Sequence, residues 1–274
     1  MSNLVLVTGA TGGVGQLTVA KLLEKGYPVR VLTRSAQKAQ QMFKEHVEVA
    51  LADTRHPDTL PGAMQGISHV ICCTGTTAFP SAKWDFDINP QANVLQQLVE
   101  WSNVYFNSDY RRAKALNSPE QVDAEGVSNL VAAVPKDLKR FVFISSCGIE
   151  RKDKLPYSLL NAFGVLDAKQ KGEVAVIQSG LPYTIIRPGR LIDGPFTSSD
   201  LNTLVQATTG GKLGIVVGTG DKLTGQTSRI DVAAACVECL GYPITQGKVF
   251  DLINQGSRPA QIDWAALFAQ LSTQ

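Results

Sequence analysis

The sequence predicts an α/β fold, a doubly wound parallel sheet with helices on both faces and a looser C-terminal third. Three observations predict it. Short apolar runs alternate with helically spaced segments along most of the chain, the pattern of βαβ units. The first run passes straight into a glycine-rich turn, Gly9-Ala10-Thr11-Gly12-Gly13-Val14-Gly15. Neither a repeat, a low-complexity tract nor a linker interrupts the rhythm, so residues 1–274 read as one domain.

Asn3 to Thr8 is an apolar first strand, and Gln16 to Lys25 spaces Leu17, Ala20, Leu22 and Leu23 helically until Gly26 ends the helix. Pro28 to Thr33 reads as a second strand, Ser35 to Glu45 as a polar-faced helix and His46 to Leu51 as a third strand. A short helix over Leu60 to Gln65 leads to a fourth strand, Ile67 to Thr74. Gln121 to Val134 is helical, Arg140 to Ser145 a buried-type strand, Leu159 to Ser179 one long helix and Tyr183 to Arg187 another strand. Beyond Pro188, strands are expected at Lys212 to Val217 and Val249 to Ile253, with helices near Val232 to Leu240 and Asp263 to Leu271. This third is where such folds build a small substrate region. Residues 79–119 break the pattern with Trp84, Trp101, Tyr105, Phe106 and Tyr110. A structureless loop of that length is improbable in a compact domain, and Gln91 to Val104 has the spacing of an amphipathic helix, with Val94, Leu95, Leu98, Val99 and Trp101 toward one side. This insert is either a lid or partner-docking element or an aromatic-rich flap packed on its own domain.

Bulk chemistry narrows the function classes. The 26 basic and 24 acidic residues leave a net charge of +2, too balanced for a polyanion partner, so no nucleic acid is expected. The apolar start ends at Val7 with no basic region before it, and no apolar run approaches a membrane span. Five cysteines, an odd number, favour reduced thiols. Cys236 and Cys239 lack a second pair, and the three histidines, His46, His56 and His69, lie far off in sequence. They read as buried thiols in a helix, and no metal is expected.

The glycine turn carries the chemistry. Its first glycine lets the chain leave the strand sharply, its second admits a pyrophosphate to the backbone, and its third allows close helix packing. The amino end of the following helix offers unpaired N–H groups and a positive dipole to phosphates. A Rossmann-type dinucleotide site follows, with Gly9, Thr11, Gly12, Gly13, Val14 and Gly15 as its cradle. An NAD site places an acid at the end of strand two; here Thr33 stands there and Arg34 follows. A guanidinium beside a ribose 2′-phosphate favours NADP(H), although Arg34 also reads as a solvated charge. Asp53 is placed to cap the adenine amino group, and Thr74 and Gly75 to line the cofactor.

TGATGGVG, the arginine after strand two, ADTRHPDTL, FVFISS and YTIIRPG together resemble the atypical short-chain dehydrogenases/reductases (SDRs), in particular the NmrA-like group with a TGATGxxG turn. The resemblance covers nearly the whole chain outside residues 79–119. It implies NADP(H) lying across the carboxyl ends of the strands. Standard members use a serine and a Y-x-x-x-K pair, whose tyrosine exchanges the proton that accompanies hydride transfer. Matching the family's lysine-to-glutamate spacing makes Lys169 the lysine and Glu173 the glutamate, which puts Val165 at the tyrosine position. Tyr157 is the nearest phenol, about 18 Å of axial rise away if one helix ran throughout, so it would reach the site only from a loop at Pro156. Ser145 and Ser146 match the serine position and either polarise a carbonyl or tie off the strand end. Asp123 falls where the subgroup has Asp for the usual Asn, or else caps a helix. Pro188 and Gly189 match the turn beneath the nicotinamide, flanked by Arg187 and Arg190, which read as substrate or phosphate ligands or as structural ion-pair partners.

Two main readings of function follow. One is an NADP(H)-dependent oxidoreductase that works without the tyrosine on an acceptor taking its proton from solvent, such as a flavin- or tetrapyrrole-like molecule. The other is a non-catalytic NADP(H)-binding assembly protein that docks a protein partner through residues 79–119. The sequence is similar to the SDR portions of plant and cyanobacterial photosystem-biogenesis proteins, but the insert is too short for the extra domain that interrupts those. A sugar-nucleotide epimerase or dehydratase is a third reading. The compartment implied is the cytoplasm, or the plastid stroma in a photosynthetic eukaryote.

Overall fold

The computed structural model describes residues 3–80, 84–88, 91, 93–192 and 213–272. Its first half follows the expected alternation: β1 (Val5–Thr8), α1 (Gly13–Glu24), β2 (Val29–Thr33), α2 (Ala36–Phe43), β3 (Glu48–Leu51) and β4 (His69–Cys72). Next come α3 (Val94–Phe106), α4 (Ser108–Lys114), α5 (Gly126–Ala133), β5 (Arg140–Ile144), α6 (Tyr157–Leu160), α7 (Val165–Gln178) and β6 (Tyr183–Pro188). The last part holds β7 (Arg190–Leu191), β8 (Leu213–Gly218), β9 (Gln226–Thr227), α8 (Arg229–Gly241), β10 (Lys248–Ser257) and α9 (Trp264–Ala269).

The strands form one sheet in the order β3-β2-β1-β4-β5-β6-β10-β9-β7, with β8 against β10. From β3 to β10 every pairing on this path is parallel, while β8 and β9 run antiparallel to β10. Apolar clusters cover both faces. Val19, Leu22, Phe43, Val232, Phe250 and Phe268 fill one; Leu60, Val127, Leu130, Phe141, Phe143 and Val176 fill the other. Burying each such side chain contributes about 1.5–3 kcal/mol. The strand order reverses between β1 and β4, which opens a crevice at the carboxyl ends of the strands.

Several expectations need correction. The single helix over Leu159 to Ser179 is two, α6 and α7, because Gly164 stands in the left-handed region (φ +78°) before Val165. The Asn161 side chain accepts from Leu166 N and Asp167 N and starts α7 afresh. The helix over Gln121 to Val134 opens as a π turn at Glu120–Glu125 before α5. The strand expected from Lys212 begins at Leu213, Lys212 itself lying outside the described residues. Strands β7 and β9 were not anticipated; two residues are too few for a period-2 pattern.

In the 79–119 segment, residues 81–83, 89–90 and 92 lie outside the described part. The expected helix there is α3, started by a reciprocal capping box between Asn93 and Gln96. Aromatic rings anchor this segment to the domain. Phe79, Trp84 and Tyr105 all meet Phe163 edge-on, at 5.9, 6.5 and 5.6 Å, and the Arg111 guanidinium lies 4.9 Å from the Phe163 ring centre. The aliphatic side of α3 faces the other way: Val94, Leu95, Leu98, Val99 and Phe106 are exposed.

Candidate functional site

Strand register brings the candidate residues to one edge. Leu32, Thr8, Cys72 and Phe143 stand in one row across β2, β1, β4 and β5. Ile185 of β6 continues that row. Residues just past it therefore emerge together: Arg34 after β2, the glycine turn after β1, Thr74 and Gly75 after β4, Ser145 and Ser146 after β5. Pro188 closes β6 at the same edge.

The glycine turn is drawn tight by its own backbone. Gly12 N donates to Gly9 O at 2.9 Å, and Gly9 has φ +64°. A Cβ on Gly9 would lie 2.7 Å from the Cys73 carbonyl, and one on Gly15 only 2.1 Å from Gly9 O. The third glycine thus serves close packing of α1 on the turn itself. The N-cap, Gly12, has no side chain to cap the helix, and no acid occupies the first turn of α1. This amino end presents N–H groups and a positive dipole without an internal anion, the condition a pyrophosphate fits. The Thr74 hydroxyl donates to Thr8 Oγ1 at 2.7 Å and binds the neighbouring wall to β1.

Arg34 is exposed beyond the end of β2, while Thr33 is buried and its Oγ1 accepts from Ser35 N at 3.1 Å. Ser35 in turn caps α2. Asp53 is engaged by Arg55, whose Nε lies 3.0 Å from each carboxylate oxygen. Burial works to raise the Asp53 pKa, but Arg55 outweighs it and, with Arg34 adding a smaller contribution, holds the carboxyl below its ordinary value. The residue expected to cap an adenine amino group thus already has an arginine partner two positions on.

Lys169, on α7, is buried, and its ammonium lies 2.9 Å from Asp123 Oδ1 and 3.3 Å from Ile144 O. Asp123 is fully buried in the π turn; its other oxygen accepts from Thr76 N at 3.0 Å and from the Thr76 hydroxyl. Asp123 is therefore the lysine's counter-ion and not a helix cap. A Cβ on Gly75 would sit 3.2 Å from this carboxylate and 3.3 Å from the ammonium, so the pair reaches the segment expected to line the cofactor. Val165 begins α7 one turn before Lys169 and is buried with Ile149, Leu166, Ala78 and Tyr157.

Tyr157 does lie on a separate piece of chain, after a cis Leu155-Pro156 bond, as reach to the site would require. Its ring rests on Gly148 and 4.7 Å from the Arg151 guanidinium. Burial raises its pKa against the pull of Arg151, with Cys147, Asp221 and Asp251 also acting on it. The same ring packs in the cluster that holds Val165, one turn before Lys169. Ser145 is buried with no partner for its hydroxyl among the described residues, while the Ser146 hydroxyl donates to Cys147 O at 3.0 Å.

Arg187 is a structural ion-pair partner. It meets Glu173 through Nε at 2.9 Å and Nη2 at 2.7 Å, and Glu150 through Nη1 at 2.7 Å; these carboxylates raise its pKa against burial. Glu173 is thus occupied inside the fold, and Arg190 is exposed. Pro188 accepts from Cys147 N at 3.0 Å, and Gly189 passes so close to Gly225 that a Cβ would stand 2.5 Å from its carbonyl oxygen. Cys236 and Cys239 are buried on α8, where burial pushes both thiols up, Cys239 to about 12. Sequence reasoning missed Thr76 as the residue that orients Asp123, because nothing local links positions so far apart.

Comparison with known proteins bears on the family and the fold. The family described as NAD(P)H-binding matches residues 9–243. The chloroplastic protein TIC 62 of Pisum sativum is 34% identical over 68% of this chain, which spans about a third of that relative's length (32%). Sanguinarine reductase of Eschscholzia californica is 31% identical over 98% of this chain and 96% of its own. The photosystem II assembly factor Ycf39 of Trieres chinensis is 26% identical over 92% of this chain and 64% of its own. Among solved structures, the oxidoreductase ylbE of Lactococcus lactis superposes with a TM-score of 0.68 at 19% identity, over 99% of this chain and 97% of the other, a likeness of fold.

Proposed function

The chain belongs to the NAD(P)H-binding family of atypical SDRs, and from that premise we propose that it is an NADP(H)-dependent reductase whose acceptor needs no proton from a tyrosine. The observation that carries this reading is the apolar Val165 one turn before a lysine already paired with Asp123. When bound, the cofactor supplies a hydride. The glycine turn and α1 hold its pyrophosphate, Arg34 its 2′-phosphate, and Thr74, Gly75 and Pro188 border its nicotinamide half. Lys169, held in place by Asp123, binds the nicotinamide ribose. Ser145 and Ser146 orient the acceptor. General acid catalysis contributes about 100- to 10,000-fold, so simple ketones and aldehydes are poor substrates. Acceptors neutralised by the hydride itself, such as iminium ions, or protonated by water afterwards, such as quinones, flavins and tetrapyrroles, lose little. Positioning alone supplies a large part of their rate. The reductase relative that covers the whole chain supports this class of activity.

The test is NADPH oxidation by the purified protein with iminium, quinone, flavin and aldehyde acceptors. Turnover of one of the first three, with aldehydes slower by about two orders of magnitude or more, is the expected result. Brisk aldehyde reduction that disappears in Tyr157→Phe would place the proton donor on α6 and overturn the reading.

The exposed stripe Val94, Leu95, Leu98, Val99 and Phe106 on α3 favours a second reading, a cofactor-binding assembly protein with a protein partner. The Ycf39 relative supports it. Among the described residues no helix is long and apolar enough to cross a membrane. We propose the cytoplasm or the plastid stroma as its compartment, the latter supported by chloroplastic relatives.

A further inference from the structure

We propose that Arg229 is a pyrophosphate ligand of the cofactor site, an assignment that rests on the NADP(H) reading above. Helices α1 and α8 lie side by side and run the same way. Leu17 and Ala20 pack with Ile230 and Ala233, and near the carboxyl ends Lys25 Nζ meets Glu238 at 2.7 Å. This register carries the first residue of α8, Arg229, to the first residue of α1, Gly13. A Cβ on Gly13 would stand 3.0 Å from Arg229 Nε and 3.1 Å from its Cδ. The guanidinium therefore borders the backbone N–H groups to which a dinucleotide presents its pyrophosphate.

Two further features suit an anion there. Asp231, the acid nearest to Arg229 in sequence, is neutralised by Arg258, with contacts of 2.8 and 2.9 Å, and by Asn254 Nδ2 at 2.6 Å. Its charge therefore opposes a phosphate little. Gly13 leaves room for the arginine stem, which any side chain at that position would crowd. The side chain absent at Gly13, next to the glycine that admits the pyrophosphate, thus admits a cation beside the turn. Arginine suits this place because its planar fork pairs with two phosphate oxygens at once. Arg34 serves the 2′-phosphate at the other end of the cofactor, so the two arginines divide the anionic groups between them.

This division makes the assignment testable by titrating NADPH and NADH into the wild type and the variants Arg229→Ala, Arg229→Met and Arg34→Ala. The pyrophosphate is common to both nucleotides. Arg229→Ala is expected to raise both dissociation constants by the same factor, about tenfold to a hundredfold. Arg34→Ala is expected to raise only that for NADPH. Arg229→Met, which keeps the apolar stem against Gly13, guards against a folding defect and should lose the same affinity as Arg229→Ala. Unchanged constants in both Arg229 variants, or a loss confined to NADPH, would overturn the assignment while leaving the cofactor reading intact. Wild-type protein that binds neither nucleotide would instead overturn the cofactor reading and this assignment with it.

Discussion

His69 shows how much one position can weigh on stability without touching the site. It begins β4 and is buried, with its Nδ1 2.8 Å from the Ser68 hydroxyl. Burial, helped by Lys139 and Arg140, lowers its pKa from 6.5 to about 4. The folded form thus keeps the imidazole neutral where the unfolded chain protonates it. Its contribution to stability is present above about pH 6.5 and is lost as the pH falls toward about 4. At about 1.36 kcal/mol per unit, and with some screening because the ring is only partly desolvated, the loss is roughly 2–3 kcal/mol. Denaturant unfolding at pH 7.5 and 4.5 should show wild type losing about that much more than His69→Asn. Equal losses in the two proteins would mean that the imidazole is not held neutral. Nothing adjacent to His69 in sequence announces this, since the two basic groups that act on it follow from strand pairing with β5. The glycine turn was legible for the opposite reason: Gly9, Gly12 and Gly15 are close in sequence, and their spacing is itself the mechanism.

The elements that build the site were legible to differing degrees. Long alternating segments such as β1-α1-β2 announce themselves, because apolar spacing and a terminal glycine are local signals. The break between α6 and α7 was hidden by a continuous helical pattern, and Gly164 with the Asn161 side chain decides it. That break puts Tyr157 on α6, off the α7 axis but still packed with Val165, while Lys169 on α7 pairs with Asp123. The pair joins three pieces of chain: α7, the π turn at Glu120–Glu125, and Thr76 after β4. Truncating one member of such a pair strands the other in the interior at a cost of about 3–5 kcal/mol. Asp123→Ala should therefore unfold at markedly lower denaturant than wild type. Asp123→Ala with Lys169→Met should recover much of the loss, since no charge is then left unpaired. A single variant as stable as wild type would show that Lys169 finds other compensation in the fold.

Cofactor binding should act on the protein as a unit, because the crevice lies where both faces of the sheet end. Arg34 follows β2, while Pro188 closes β6 four positions across the sheet, so a ligand reaching from one to the other spans β2, β1, β4, β5 and β6. A ligand that binds only the native state stabilises it by about 2.7 kcal/mol at a hundredfold excess over its dissociation constant. In a chain of 274 residues each kcal/mol moves the melting midpoint by about 2–4 °C, so NADPH at that excess should raise it by about 5–10 °C. NADH at the same concentration should raise it less, because it lacks the 2′-phosphate that we propose Arg34 binds. In Arg34→Ala the two shifts should converge on the smaller value. The exposed stripe of α3 gives the comparison its control. Leu95 and Leu98 bury little in the fold, so replacing both with Ser should leave the ligand-free midpoint and the NADPH shift nearly unchanged. Equal wild-type shifts with the two nucleotides would take the 2′-phosphate away from Arg34. A shift that vanished in the α3 variant would mean that the insert takes part in forming the crevice, and the division between a cofactor-binding body and an outward-facing helix would have to be redrawn.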